Sequence, residues 1–254
     1  MADNANNDEK LLLAQINDLA ERSLSHQQPY WTPFLDPAQL EQAKAALTWN
    51  TGVRFRVFGG YSKAERQRLV IYPDYYIAEA IEPELAYLQI VSKSPDLLTH
   101  RDFLGGLLSL GIKREKLGDL LVTNDTCQVI LVPDLVGFVQ TNLERVGNSR
   151  VTVAEIEPEQ LNLPNVREKE IRSTVASLRL DAIAALGFGD SRTKMAREIK
   201  ADRLKVNWKS VKNPDQLVNP GDIISMRGRG RVFFREVTGI SKKGRTGIVL
   251  VRQL

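Results

Sequence analysis

The stretch "RLDAIAALGFGDSRTKMAREIKADRLKVNW", residues 179–208, sets two short helical periods beside one strand-like alternation. In the first period Arg179 shares a face with Ile183 and Leu186, which predicts a helix over 178–186. In the second, Arg192 lies on the side of Met195, Ala196 and Ile199, while Lys194, Arg197 and Lys200 run down the opposite flank; a helix is predicted over 192–200. Next, Leu204 and Val206 face one way and Arg203, Lys205 and Asn207 the other, so one face of a strand becomes a polar contact row. A helix amino terminus favours anions through unpaired N–H groups and its dipole, and a guanidinium adds planar donors suited to phosphate. Arg179 and Arg192, each opening a helix, are therefore a phosphate clamp, or ion-pair partners of Asp181 or Asp190 that fix the inter-helix turn, or both.

The charge of the chain divides around this stretch. The net charge is +4 over 254 residues. Residues 164–254 carry 20 Lys and Arg against 9 Asp and Glu, a net of +11, which leaves −7 on residues 1–163. An acidic body joined to a basic carboxyl-terminal third is the asymmetry expected where one segment meets a polyanion. Lys209 extends the basic row, and "RGRGR" spaces Arg227, Arg229 and Arg231 with glycines. That run is either a nucleic-acid-touching hairpin or an edge strand protected by charge. Trp208 either stacks on a base or covers the core.

Upstream, residues 8–48 read as helical, with Leu12, Ile16 and Leu19 at helical spacing, and "VRFRVFGGY" alternates as a short strand before a Gly-Gly turn. From 85 to 156 the patterns "LAYLQIVS", "THRDFLGGLLSL", "GDLLVT", "CQVILV", "PDLVGFVQTNLERV" and "SRVTVAEI" give the order βαββαβ, with the turn "NDT" at 124–126. That order predicts a ferredoxin-like, RRM-like sandwich. "GIKREKLGD" places Lys113 and Arg114 in a tight basic loop, and "GGYSKAER" either packs Tyr61 between domains or makes a contact. The expected fold class is α+β: a helical region with a short β segment (1–75), the RRM-like middle domain (76–160), a linker (161–177), and the basic domain (178–254).

The segment from "RLDAIAALGFGDSRTKMAREIK" through "VNPGDII" resembles the S4 RNA-binding domain, with its Arg-Leu-Asp, Leu-Gly, Ser-Arg, Val-Asn and Gly-Asp pattern. The resemblance implies RNA contacts from Arg179, Arg192, Lys194, Arg197, Arg203 and Lys205. Asp202 and Trp208 stand where that family often has glycines. Most of residues 53–254 also resemble the YlmH proteins of bacteria, through "FGGYSKAERQRL", "RDFLGGLLSLGIKREKLGDLLV" and "NLERVGNSRVTV". That resemblance implies a protein of translation that associates with stalled large ribosomal subunits carrying peptidyl-tRNA, in ribosome-associated quality control, with a genetic link to cell division.

Catalytic chemistry has no recognisable constellation. The two histidines, His26 and His100, lie far apart without paired carboxylates, no P-loop is present, and the glycines of "GGLLSLG" fall in and after a helix rather than after a strand. Cys127, the single cysteine, has no partner for a disulfide or a zinc site. No leader-like apolar segment follows "MADNANNDEK" and no run of about 18 apolar residues occurs. The expectation is a cytoplasmic, non-catalytic RNA-binding protein without cofactor, metal, small-molecule substrate or membrane contact. Its expected partners are large-subunit rRNA and tRNA. An RNA-modifying enzyme, or a division-associated adaptor binding proteins through the acidic half, are the alternatives.

Overall fold

A computed structural model describes residues 2–93, 98–123, 126–163, 168–241 and 244–253, with the backbone alone described for residues 2–6 and 8. The chain forms two compact units, Met1–Pro164 and Asn165–Leu254.

In the first unit, α1 (Ala2–His26) buries Leu12, Ile16 and Ala20 at four-residue spacing against Leu40, Ala43 and Leu47 of α2 (Pro37–Thr48). Leu19, expected on the stripe, lies at its half-buried edge. Asp36 starts α2 through a capping box with Gln39, with Pro37 in the first turn. Between the helices runs β1 (Tyr30–Trp31), and after them β2 (Val53–Phe58) and β3 (Arg68–Pro73) complete a sheet of order β1-β3-β2. The helical region expected over 8–48 is thus interrupted by a strand that pairs with β3. β3 itself is buried along its whole length; "RLVIYP" shows no alternation because both of its faces are covered.

The middle of this unit follows the expected order. β4 (Ala86–Ser92), α3 (His100–Ser109), β5 (Leu117–Thr123), β6 (Thr126–Leu131), α4 (Val136–Asn142), β7 (Arg145–Val146) and β8 (Ser149–Glu155) build an antiparallel sheet of order β5-β6-β4-β8-β7. That is the split βαβ arrangement with β7 added by a hairpin at Gly147 and Asn148. α4 therefore stops at Asn142, short of the "LERV" that ends the helical pattern in the sequence. At the expected 124–126 turn, Asn124 and Asp125 lie outside the described residues. Ala86, Leu88 and Ile90 with Cys127, Val129 and Leu131 pack beneath Phe103, Leu107 and Val139 of the helices. Burial pushes the Cys127 thiol up to about 12, so it stays protonated as a core group.

The second unit is a six-stranded antiparallel sheet with two helices on one face. It comprises β9 (Glu168–Val175), α5 (Leu180–Phe188), α6 (Arg192–Lys200), β10 (Leu204–Val206), β11 (Lys209–Ser210), β12 (Ile223–Met226), β13 (Gly230–Ile240) and β14 (Thr246–Gln253), in sheet order β11-β10-β12-β13-β14-β9. Leu180, Ile183, Phe188, Met195 and Ile199 meet Leu204, Ile224, Val232, Phe234 and Leu250 in its core. Gly187 lets α5 approach the sheet, because a Cβ there would sit 2.6 Å from Val232. Part of the expected linker 161–177 is structural: β9 pairs with β14 over eight residues, Val175 opposite Thr246 through Glu168 opposite Gln253. Residues 164–167 of that linker lie outside the described residues. The class is α+β, as the patterns predict.

Candidate nucleic-acid interface

The two arginines of the opening stretch converge on one carboxylate. Arg179 precedes α5 and donates through Nε (3.2 Å) and Nη2 (3.0 Å) to Asp181, and Arg192 donates through Nη2 at 3.0 Å to the same side chain. Arg179 also bonds Asp215. The Asp181 side chain is only 7% exposed. Burial alone would raise its pKa, but the hydrogen bonds and charges of Arg179 and Arg192 outweigh that and hold it below the ordinary value. Of the alternatives open in the sequence, pairing is what forms, with Asp181 as the pivot. The expectation of unpaired N–H groups at the start of α5 is corrected: Leu180 and Asp181 donate their backbone N–H to the carbonyls of Gln216 (2.8 Å) and Pro214 (3.1 Å).

A second carboxylate, Asp190 in the turn between α5 and α6, accepts from Lys194 at 3.0 Å and from Arg229. These bonds hold its pKa below the ordinary value. Arg229 also donates to the Phe188 carbonyl at 2.7 Å, where it meets the orphan end of α5. Arg229 is thus spent inside the fold rather than presented outward. The "RGRGR" run is a hairpin between β12 and β13, two interior strands, so the edge-strand alternative does not hold. Half-buried Arg231 sits opposite Ser225.

The remaining basic residues are differently placed. Arg203 pairs with Glu198 at 3.1 Å. Arg197, Lys200, Lys205, Lys209 and Arg227 are exposed and have no ion-pair or hydrogen-bond partner for their side chains among the described residues. A backbone bond from Arg227 N–H to the Arg203 carbonyl (3.1 Å) brings the β12–β13 turn beside the end of α6. Lys205, opposite both Ser210 and Ser225, lies on the sheet face turned away from its buried neighbours Leu204 and Val206.

Asn207 and Trp208 form the two-residue turn between β10 and β11, with φ of 48° and 62°. That geometry is the left-handed pair for which Asn-Gly is preferred. Asn207 suits it, and its side chain is consumed there: Oδ1 accepts from Ile223 N–H (2.9 Å) and Nδ2 donates to Asp222 (2.7 Å). Trp208 holds the glycine position at a cost of about 1–2 kcal/mol. Asp202, the other departure from glycine, has φ 60° just past α6. Both substitutions keep the backbone that glycine would take. Trp208 is half-buried.

In the middle domain, Lys113 is exposed with no partner among the described residues, whereas Arg114 turns inward and donates to the carbonyls of Leu117 (2.6 Å) and Gly118 (3.0 Å). Burial, then the like charge of Arg66, lowers the Arg114 guanidinium to about 10. Arg114 is a brace of its loop, not a free contact. Part of the sheet face opposite α3 and α4, where RRM domains stack bases on aromatics, is covered by the chain itself, while Arg150, Thr152 and Ala154 of β8 are exposed. Tyr87 and Ile130 lie beneath Phe34, Tyr61 and Leu161. Buried Gln128 donates to the Gln160 carbonyl (2.9 Å) and accepts from Asn162 N–H (2.6 Å). Asp119 fastens the "GGYSKAER" loop by accepting from Tyr61 (2.8 Å), Glu65 N–H (2.7 Å) and Arg66 N–H (3.0 Å).

Comparison with known proteins follows the same division. Family models match at residues 8–76 ("YlmH, N-terminal"), 84–160 ("Putative RNA-binding domain in YlmH") and 178–224 ("S4 domain"). The "Ribosome-associated protein quality control protein P2" of Bacillus subtilis (strain 168) is 36% identical over 224 residues, 87% of this chain and 86% of that protein. The chain belongs to the YlmH family. A shorter likeness, 36% identity over 58 residues, covers 22% of this chain and 28% of "Small ribosomal subunit protein uS4" from Dechloromonas aromatica (strain RCB). The solved structure "Cell division protein ylmH from Streptococcus pneumoniae" shares the fold at a TM-score of 0.53 and 24% identity, covering 61% of this chain and 95% of that one.

In this YlmH-family chain the sequence offers Asp181 and Asp190 as pairing partners of Arg179 and Arg192; what it missed is Asp215 and the recruitment of Arg229 to Asp190. Asp181 and Asp190 organise four of the named cations, and Asp215 reaches Arg179 from 36 residues away. The i, i+4 spacing of Asp190 and Lys194 is the one local signal. Among the described residues no helix is long and apolar enough to cross a membrane, and no group of three or more His, Cys, Asp or Glu is arranged to hold a metal.

Proposed function

We propose that this chain is a non-catalytic RNA-binding protein that acts in ribosome-associated quality control, holding the large ribosomal subunit through rRNA and the peptidyl-tRNA it carries. The observation that carries the reading is a group of exposed cations on the S4 unit without side-chain partners among the described residues: Arg197, Lys200, Lys205, Lys209 and Arg227. Helical Arg197 and Lys200, strand-borne Lys205 and Lys209, and Arg227 in a turn are suited to phosphates of a folded RNA, whose major-groove edges side chains do not reach. The quality-control name of the Bacillus subtilis relative supports the ribosomal setting. In this reading the middle domain, part of whose sheet face is covered by Phe34, Tyr61 and Leu161, serves position and partner contacts.

Co-sedimentation with isolated large and small subunits tests the reading, comparing the wild type with Arg197→Glu/Lys200→Glu/Lys209→Glu. These three sites leave the Asp181 cluster intact, so loss of binding is not loss of folding. Five phosphate contacts correspond to a log-log salt slope of about −3.5 to −4.5. Large-subunit binding that falls steeply with salt, and is lost in the variant, is expected. Binding indifferent to salt, or retained in the variant, refutes it.

A further inference from the structure

We infer that the uncovered strip of the middle domain's sheet is a second RNA site, at which Lys93, Arg145 and Arg150 hold backbone phosphates. The inference rests on the RNA-binding reading above and adds a contact surface outside the S4 unit. Strand register builds it. β7 sets Arg145 opposite Arg150 of β8. The pairing of β8 with β4, Ser92 opposite Val151, runs on through the bond from Lys93 N–H to the Arg150 carbonyl (2.9 Å). Directly opposite residues point to the same face with Cβ atoms about 4.5–5.5 Å apart, so three neighbouring strands carry one row of three cations. All three are exposed, and none has an ion-pair partner among the described residues. Of the three side chains only Arg145 makes a hydrogen bond there, from Nη2 to the Asn148 carbonyl (2.7 Å) of its own hairpin. Glu144, next to Arg145 in the chain, pairs with neither arginine.

Like charges set directly opposite one another destabilise a sheet, and these gather within residues 1–163, which carry a net −7. A row that folding disfavours, and that no carboxylate among the described residues neutralises, is accounted for by an anion from outside. The row lies on the face turned away from α3 and α4: Val146 and Val151 enter the core beneath the helices, and Arg145 and Arg150 alternate to the other side. On that face Phe34, Tyr61 and Leu161 pack over Tyr87 and Ile130, whereas the strip along β8 continues from Arg150 to exposed Thr152 and Ala154. Thr152 and Ala154 offer no ring for a base and no carboxylate to repel a phosphate. The ligand is therefore met at its backbone, where the two guanidiniums supply planar paired donors that match phosphate oxygens. Phosphate contacts fix register and orientation without reading sequence, so this row sets how the middle domain lies on the RNA.

The test uses the full chain and isolated large ribosomal subunits. Lys93→Gln/Arg150→Gln removes two charges and no side-chain bond made among the described residues. Each phosphate contact contributes about 0.7–0.9 to the log-log salt slope, so the slope is expected to become shallower by roughly 1.4–1.8, with weaker binding at low salt. The variant is expected to melt at the wild-type temperature or above it, because repulsion across the strands is relieved. Wild-type affinity and slope in the variant overturn the inference and leave the RNA-binding reading standing. A lower melting temperature assigns the row to the fold and overturns the inference as well. The ligand is identified separately. Cys127, the single cysteine, is buried, so Thr152→Cys presents the one accessible thiol, to which an iron-EDTA cleavage reagent is attached. Cleavage of rRNA or tRNA in the bound subunit is expected; its absence with binding intact points to a protein neighbour and overturns the inference. If the wild type binds no subunits, the RNA-binding reading falls and the inference falls with it.

Discussion

Removing Asp181 and removing its two arginines should have unequal effects, and the inequality follows from exposure. The carboxylate is 7% exposed, whereas the Arg179 and Arg192 side chains are 34% and 55% exposed. Asp181→Asn leaves two guanidiniums that water reaches, and Arg179 keeps Asp215; with solvent screening the expected loss is about 1–2 kcal/mol. Arg179→Ala/Arg192→Ala strands a buried carboxylate with no cation, and breaking a pair from that side costs about 3–5 kcal/mol. For a unit of this size each kcal/mol is worth about 4–8 °C in Tm, so the double variant should melt more than about 10 °C lower. The assay is thermal and urea unfolding of the full chain, followed by the fluorescence of Trp208 after Trp31→Phe/Trp49→Phe replacement, which reports on the S4 unit alone. If Asp181→Asn is the more damaging change, or the double variant melts with the wild type, the pivot role of Asp181 is wrong.

Further outcomes follow from single contacts. Because the folded pKa values of Asp181 and Asp190 are depressed, their contribution is fully present above the unfolded value of about 3.9 and is lost as pH falls through the folded values; an acid titration of stability should steepen below about pH 4, less so in Asp181→Asn. Gly187→Ala should destabilise the S4 unit by about 1–3 kcal/mol, since its Cβ meets Val232 at 2.6 Å; urea midpoints check this. Gln128→Leu removes the hydrogen bonds to Gln160 and Asn162, and hydrogen exchange at 157–163 should quicken if those bonds hold that segment on the sheet.

Legibility in the sequence tracked whether an element buries one face or two. α6 was readable because it alternates apolar and polar faces on a 3.6-residue period, as was β10 with its alternating burial, whereas α5 is buried on nearly every side and was found from the spacing of Ile183 and Leu186. β3 was not, since a strand covered on both sides has no period to find. β9 hid for the opposite reason: "EKEIRSTV" turns only Val175 fully inward, and its eight pairings are made by backbone groups that no side-chain pattern reports. At the site, the cations and the departures from glycine were visible in the chain. Which cations are spent on Asp181, Asp190 and Asp215 depends on approaches across as many as 39 residues, which spacing alone does not encode.

The division among those cations changes how the charge of the S4 unit should be understood. Arg179, Arg192, Lys194 and Arg229 face Asp181, Asp190 and Asp215, so this cluster is nearly neutral. A nearly neutral cluster contributes little to a field felt beyond the Debye length of about 8 Å, yet its guanidiniums are held in fixed directions, and donors beyond those used on the carboxylates remain. Arg197, Lys200, Lys205, Lys209 and Arg227 are exposed and uncompensated among the described residues. On the proposed function, attraction at a distance is assigned to the second group and orientation at contact to the first. Neutralising the second group should slow association and flatten its salt dependence, while Arg192→Lys, which keeps the charge and loses the fork, should speed dissociation and leave the salt slope nearly unchanged. Stopped-flow binding to large subunits at two ionic strengths separates the two, and identical kinetic signatures for both sets of variants would remove the distinction.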